Sequence, residues 1–197
     1  MSNEMIPKMS DIEEKNETKE QTNADYKTGL DFLKNGETTF AAHAFHNALM
    51  GSMELGDDHG VANAADKLAD ICLEREEYPQ ALKHIETAFA ICEKEQDQSS
   101  MISLRRKIAQ AKTGMGKYDE VLEIFFDLID FYKGSLNPKG TVEVMEKIAE
   151  VYLLQGNTAA AADTYRTIAG IHTNFHHKKI AEEFMDKAAT VEKGVKA

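Results

Sequence analysis

The sequence predicts an all-α fold built from repeated helical hairpins. Three observations carry this prediction: lysines recur every forty residues, very small residues follow them two positions later, and large apolar residues recur in a further column. The lysines are Lys27, Lys67, Lys107, Lys147 and Lys187. Self-similarity at a fixed period of this size is typical of a solenoid or array of supersecondary units.

The second copy, residues 61–97, shows the repeating unit most clearly, as two amphipathic segments of helical period separated by a tight turn. The small residues after the lysines are Gly29, Ala69, Ala109, Ala149 and Ala189. The second segment of each copy carries a small or β-branched column of Ala41, Ala81, Val121 and Ala161, and a large apolar column of Phe45, Ile85, Phe125 and Tyr165. Small residues let two helix backbones approach closely, and large residues fill the space beside them.

This spacing resembles the tetratricopeptide repeat (TPR), which carries W-x2-L-G-x2-Y on its first helix and A-x3-F on its second. The matching segments are Asp25-x2-Thr28-Gly29-x2-Phe32 with Ala41-x3-Phe45, Ala65-x2-Leu68-Ala69-x2-Cys72 with Ala81-x3-Ile85, Arg105-x2-Ile108-Ala109-x2-Lys112 with Val121-x3-Phe125, and Met145-x2-Ile148-Ala149-x2-Tyr152 with Ala161-x3-Tyr165. The resemblance covers about residues 22–193 and implies a TPR-like right-handed superhelical solenoid of four helix hairpins plus a C-terminal capping helix. The family period is about 34 residues, and we expect the extra residues of this longer type in the second helix and its exit turn.

The predicted boundaries follow the turn signals. The expected repeats are residues 22–58, 59–98, 99–137 and 138–175, with a cap at 176–193. Residues 1–21 are polar, of mixed charge and without sustained periodicity, so we predict a disordered N-terminal tail, and 194–197 form a short C-terminal tail. A length of 197 residues fits one domain.

Composition excludes several classes of partner. The net charge of −11 and a pI near 5.1 argue against broad contact with nucleic acid or an anionic membrane, because both require a positive field. No apolar run has the length of a membrane span and the first residues lack a signal peptide, so we expect a cytoplasmic protein. Cys72 and Cys92 fall on helix ends that would lie on the order of 20 Å apart, which predicts buried free thiols rather than a disulfide.

Motifs for catalysis and for metal binding are incomplete. The chain has no phosphate-cradling glycine loop, nucleophile elbow or H-E-x-x-H, so we expect neither an enzyme nor a cofactor. His172, His176 and His177 cluster before the cap, and His43 and His46 are three residues apart. Imidazoles at such spacings can bind zinc or nickel. No cysteine or carboxylate set completes a site, so we interpret them as surface histidines and leave metal binding by the first three open.

The predicted binding site is the face of the first helices opposite the TPR motif positions. In the family this face lines a concave groove that holds an extended peptide or a partner helix. The predicted groove residues are Asn23, Tyr26, Leu30, Leu33, Asn63, Asp66, Lys67, Asp70, Leu73, Arg106, Lys107, Gln110, Glu143, Glu146, Lys147 and Glu150. Such a groove is apolar and aromatic in repeat 1, acidic in repeats 2 and 4, and basic in repeat 3. Its lysines either form ion pairs along a solvated face or contact an acidic ligand.

The leading functional hypothesis is a non-catalytic scaffold or adaptor that docks a peptide or helix of another protein. A peptide-responsive regulatory sensor is one alternative, and a self-associating structural subunit is another. Phe125, Phe126, Ile129 and Phe131 cover more than one face of the second helix of repeat 3. That surface is either deeper core or the contact of a possible homodimer.

Overall fold

The computed structural model describes the backbone of residues 9–194 and the side chains of residue 9 and residues 13–194. Over this range the chain forms nine α-helices and no strand. They are α1 (Met9–Lys34), α2 (Thr38–Leu55), α3 (Asp58–Glu74), α4 (Tyr78–Lys94), α5 (Gln98–Gly114), α6 (Tyr118–Gly134), α7 (Pro138–Leu154), α8 (Thr158–Asn174) and α9 (Lys178–Glu192). The predicted all-α repeat fold is confirmed.

The forty-residue period is divided evenly between its two halves. Helices α3 to α8 contain 17 residues each, and three-residue turns separate them. The residues by which this repeat exceeds the family period of about 34 are therefore shared between the two helices. We expected them in the second helix and its exit turn. The turns between α3 and α8 are therefore equal in length, and they close in a similar way.

Each turn is closed by one residue in the left-handed conformation. The glycines there include Gly36 and Gly156, with φ values of 77° and 74°. Glu76 takes the same place with a φ of 59°, and its N–H donates to the Leu73 carbonyl at 3.1 Å. These bonds satisfy carbonyls that the helix end leaves without partners. A side chain therefore occupies the position at a modest strain cost that the hydrogen bonds offset.

Helix α1 corrects the prediction of a disordered tail. Residues 9–21 are helical, whereas residues 1–8 of that predicted tail lie outside the described residues. Thr22 is buried on this helix and lies against Gly51, where an added Cβ would collide with its Oγ1. A helix anchored by such contacts extends into a polar segment at low cost, because propagation is easier than nucleation.

The repeated columns of the sequence form the core. The column of Ala41, Ala81, Val121 and Ala161 is completely buried. The column of Phe45, Ile85, Phe125 and Tyr165 is at most 7% exposed. Among the small residues after the lysines, Ala69, Ala109 and Ala149 are also fully buried, whereas Ala189 is exposed on α9. The predicted register therefore places both columns where two helices meet.

The chain divides into two compact units, Met1–Ala111 and Lys112–Ala197, where its length alone favoured one. In the first unit α1 packs on α2, α2 on α3 and α3 on α4. In the second unit α6 packs on α7, α7 on α8 and α8 on α9. None of the described helices combines the length and the apolar character needed to cross a bilayer.

The apolar second helix of repeat 3, α6, is mostly core. Phe125 and Ile129 are buried, and the Phe131 ring lies edge-on to Tyr132 with centroids 5.5 Å apart. Phe126 is 47% exposed. A single exposed aromatic ring is ordinary for a protein surface, so the structure favours the interpretation as deeper core over that of a dimer contact.

Candidate functional site

The predicted groove residues of the first unit lie on α1, α3 and α5. Asn63, Arg106 and Gln110 are exposed, as is Asn23. Tyr26, Leu30, Leu33, Asp66, Lys67, Asp70 and Lys107 are half-buried. Leu73 is only 6% exposed and belongs to the core, so it offers a ligand little more than an edge of its side chain.

An ion-pair bridge joins α5 to α3 across this face. The Lys107 Nζ atom lies 2.5 Å from an Asp66 carboxylate oxygen and 2.6 Å from one of Asp70, and its side chain is 16% exposed. Lys67 adds a second ammonium, 3.8 Å from Asp70. The two carboxylates and two ammonium groups balance in charge. The acidic character predicted for repeat 2 is therefore largely cancelled within the protein.

Two clefts lie on this face, one bordered by each of the bridged aspartates. The larger has a volume of about 300 Å³ and is lined by Leu33, Lys67, Asp70, Ile71, Leu73, Glu74 and Gln110. The smaller has a volume of about 120 Å³ and is lined by Ala62, Asn63, Asp66, Ala88, Cys92, Ser100, Ser103 and Leu104. The larger cleft thus combines an apolar floor from α1 and α3 with a polar rim from α3 and α5. We call it the α3–α5 cleft.

Tyr26 connects α1 to the bridged aspartates. Its ring lies edge-on to Phe45 with centroids 5.3 Å apart. Burial raises the pKa of the Tyr26 hydroxyl above its usual value, and the nearby Asp66 carboxylate raises it further. The hydroxyl therefore remains protonated at neutral pH and keeps its ability to donate a hydrogen bond.

In the second unit the corresponding groove residues also form ion pairs. The Lys187 ammonium lies 3.9 Å from Glu146, and the Lys147 ammonium lies 2.8 Å from Glu150. Glu143, Lys147 and Glu150 are exposed, whereas Glu146 is half-buried. On α7, therefore, the predicted groove residues are also neutralised in part by lysines of the chain itself.

One regularity of these pairs is present in the sequence but was missed there. Lys107 binds Asp66 and Lys187 contacts Glu146. In both cases a repeat lysine reaches the carboxylate that directly precedes the lysine of the repeat before it. The pattern Asp-Lys or Glu-Lys, followed by another lysine one period later, is the signal that could have predicted these bridges.

Replacement of Lys107 by methionine is expected to lower the free energy of unfolding by about 1–2 kcal/mol, between the values for exposed and buried ion pairs. Methionine keeps much of the aliphatic stem but leaves the half-buried Asp66 and Asp70 with one ammonium fewer. Lys147→Met is the matched control, since that lysine is 58% exposed and pairs within one helical turn. We expect Lys147→Met to lower the free energy of unfolding by less than about 0.5 kcal/mol. Urea unfolding followed by circular dichroism measures the free energy of unfolding of both variants. Equal losses of stability would contradict a stabilising role for the ion-pair bridge.

Cys72 and Cys92 are buried and free, as predicted. Burial raises the pKa of both thiols, and neighbouring acidic groups raise it further. A protonated, buried thiol is a poor nucleophile. Although Cys92 borders the smaller cleft, it therefore brings no reactive group to the site.

Comparison with solved structures confirms the resemblance to TPR-like repeats. A putative kinesin light chain with TPR-like repeats from Podosopora anserina aligns with a TM-score of 0.70 at 14% identity, over 87% of each chain. The apo form of RapI aligns with a TM-score of 0.67 at 13% identity, over 90% of this chain and 55% of the RapI chain. A Rap protein complexed with Competence and Sporulation Factor aligns with a TM-score of 0.61 at 15% identity, over 87% of this chain and 52% of the Rap chain. This chain therefore spans about half the length of the Rap proteins, and the likeness shows the fold alone.

Sequence comparison identifies the family. No curated protein matches the chain. Residues 2–135 match a family model described as "SNAP: Soluble NSF attachment protein, SNAP". This span is more than half of the 197 residues and includes all the helices that form the α3–α5 cleft. The chain belongs to the soluble NSF attachment protein (SNAP) family.

Proposed function

We propose that this protein is a non-catalytic adaptor that binds a peptide or helix of another protein on the face formed by α1, α3 and α5. The observation that carries the proposal is the α3–α5 cleft, which has an apolar floor and a polar rim. Binding sites for side chains commonly combine these two features. The family description, an attachment protein, supports a role in which binding rather than chemistry is the activity.

The cleft favours a large apolar side chain of the partner as the anchor. Its floor is formed by the half-buried Leu33 and an edge of Leu73, and apolar contact there contributes roughly 25 cal/mol for each Å² removed from water. Gln110 at the rim offers an amide that can donate and accept hydrogen bonds. Because the carboxylates of Asp66 and Asp70 balance the ammonium groups of Lys67 and Lys107, the anchor needs no strong charge of its own. An amphipathic helix or an extended segment meets these requirements.

The predicted groove residues of α7, Glu143, Glu146, Lys147 and Glu150, are proposed as contacts within the second unit. Lys147 and Lys187 already neutralise part of their negative charge, so a partner segment that contacts them needs at most a weakly basic character. A protein partner, rather than nucleic acid or a membrane, fits the overall charge of −11. A cytoplasmic location belongs to the same proposal.

Two further functions considered from the sequence are not advanced. For the sensor hypothesis, the likeness to Rap proteins at 13–15% identity extends to the fold alone. Self-association through α6 has little apolar surface to use, because Phe125 and Ile129 are buried and Phe126 is a single exposed ring.

To test the proposal, peptides are selected by display against the wild-type chain. The affinity of each selected peptide is then measured for the wild type and for two tryptophan variants. Gln110→Trp places a large ring at the rim of the cleft and is expected to weaken binding at least tenfold, or about 1.4 kcal/mol. Glu86→Trp is the matched control, because Glu86 is exposed on α4 and does not line the cleft. Equal affinities in all three proteins would exclude the cleft as the binding site.

A further inference from the structure

We infer that His172 and His177 form a two-histidine binding site for a tetrahedral divalent cation, for which Zn²⁺ is the best fit. The two residues lie at the end of α8 and at the N-cap of α9. Their Nδ1 atoms face each other at 3.3 Å. The sequence predicted a cluster of surface histidines that includes both residues and left metal binding open, and the structure places the rings of His172 and His177 in contact.

The separation of the two nitrogens matches the edge of a zinc coordination tetrahedron. With Zn–N bonds of about 2.0–2.1 Å and tetrahedral angles, two ligand nitrogens lie about 3.3–3.4 Å apart. Adjacent nitrogens in a square-planar site, as preferred by Cu²⁺, would lie only about 2.8–2.9 Å apart. The observed 3.3 Å therefore favours a tetrahedral ion over a square-planar one.

The turn between the helices holds both residues in place. The His177 N–H donates to the His172 carbonyl at 2.9 Å, and His176 between them has a left-handed φ of 61°. This backbone closure follows the same pattern as the other turns, so it sets the relative position of the two backbone segments without a cation. The ordering cost of binding is reduced accordingly.

Aromatic contacts also orient the two rings. The His172 ring is stacked on Phe184 with centroids 5.7 Å apart and an interplanar angle of 8°. The His177 ring is stacked on Phe175 at 6.2 Å and 25°. Phe184 is itself buried in the core, so it acts as a fixed support. Both imidazoles are thus positioned before a cation arrives, as a metal site requires.

The coordination chemistry needs no added proton acceptor. Without a cation, one Nδ1 donates a hydrogen to the other, which accounts for their contact. When the cation binds, both rings carry their hydrogen on Nε2 and each Nδ1 donates its lone pair to the ion. Within residues 9–194 no group of three or more histidine, cysteine, aspartate or glutamate residues is placed to hold a metal ion. The protein therefore supplies two ligands, and water supplies the others.

A nearby positive charge limits the expected affinity. The Lys187 ammonium lies 4.4 Å from the centroid of the Phe184 ring on which His172 stacks. Its charge opposes a second cation close by. We therefore expect weaker binding than at a four-ligand structural zinc site, with fast exchange of the ion.

The experiment is isothermal titration of the full chain, without an affinity tag, with ZnCl₂ at neutral pH. We expect saturable binding of one ion per chain, and His172→Gln and His177→Gln should each weaken it at least tenfold. His43→Gln is the control, since His43 is exposed on α2 and should not affect binding. Circular dichroism establishes that each variant is folded. A wild-type chain without saturable binding, or variants that bind as the wild type does, would overturn the assignment.

Discussion

Replacement of Phe45 by alanine is expected to lower the free energy of unfolding by about 3–5 kcal/mol, the largest effect of any change considered for this protein. Phe45 is completely buried, and its ring lies edge-on to Tyr26 and fills the space that a Cβ at Gly29 would occupy. The substitution removes apolar contacts and leaves a cavity between α1 and α2 that backbone packing cannot close. Denaturant unfolding followed by circular dichroism measures the loss.

Phe126→Ala is the control for this prediction. The residue types are identical, but Phe126 is 47% exposed on α6. We expect a loss below about 1 kcal/mol, as is usual for surface substitutions. Similar losses for the two variants would show that the column containing Phe45 is not the core of its unit. The same result would remove the support on which Tyr26 rests in the binding face.

Replacement of Gly29 by alanine is expected to destabilise the protein by about 1–3 kcal/mol through overpacking. An added Cβ would lie 2.8 Å from the nearest atom of the Phe45 ring. That ring is completely buried and cannot move away without disturbing its neighbours. This site is the small-residue position of the repeat motif, so the measurement also tests why the position is small. Thermal unfolding of the variant against the wild-type chain provides the value.

Gly170→Ala is expected to raise the free energy of unfolding, whereas Gly29→Ala lowers it. Gly170 lies inside α8, where an added Cβ would meet nothing within 4 Å. Alanine restricts the unfolded chain and favours the helix, so we expect a gain of about 0.5–1 kcal/mol. If both glycine variants were more stable than the wild type, the result would contradict the close approach of the Phe45 ring to Gly29.

The fold could be predicted because burial repeats with the sequence. Ala81 and Ile85 stand four residues apart on one helix face, and both are completely buried. The register alone therefore identifies which face turns inward. The extent of α1 was not predictable in this way, because residues 9–21 lack an apolar stripe. Their helix depends on its continuation into Thr22 and on contacts with α2, which exist only in the tertiary structure.

The side of each helix on which the proposed binding residues lie could be predicted from the sequence, but their burial and their contacts could not. Leu73 borders the α3–α5 cleft, yet it is buried, because helix periodicity indicates direction and not how closely neighbouring helices approach. The bridge from Lys107 to Asp66 joins residues of different repeats, and its distance depends on how α5 sits beside α3. The contact between His172 and His177 likewise depends on the turn that joins their helices.

The most direct test of the proposed function is NMR mapping of amide chemical shifts while a selected peptide is titrated into the labelled wild-type chain. Residues that line the α3–α5 cleft, above all Asp70, Glu74 and Gln110, are predicted to show the largest changes within the first unit. The exposed side of α4, around Glu86, should change little. Changes concentrated on α2 and α4, with the cleft residues unaffected, would contradict the assignment of the binding face to α1, α3 and α5.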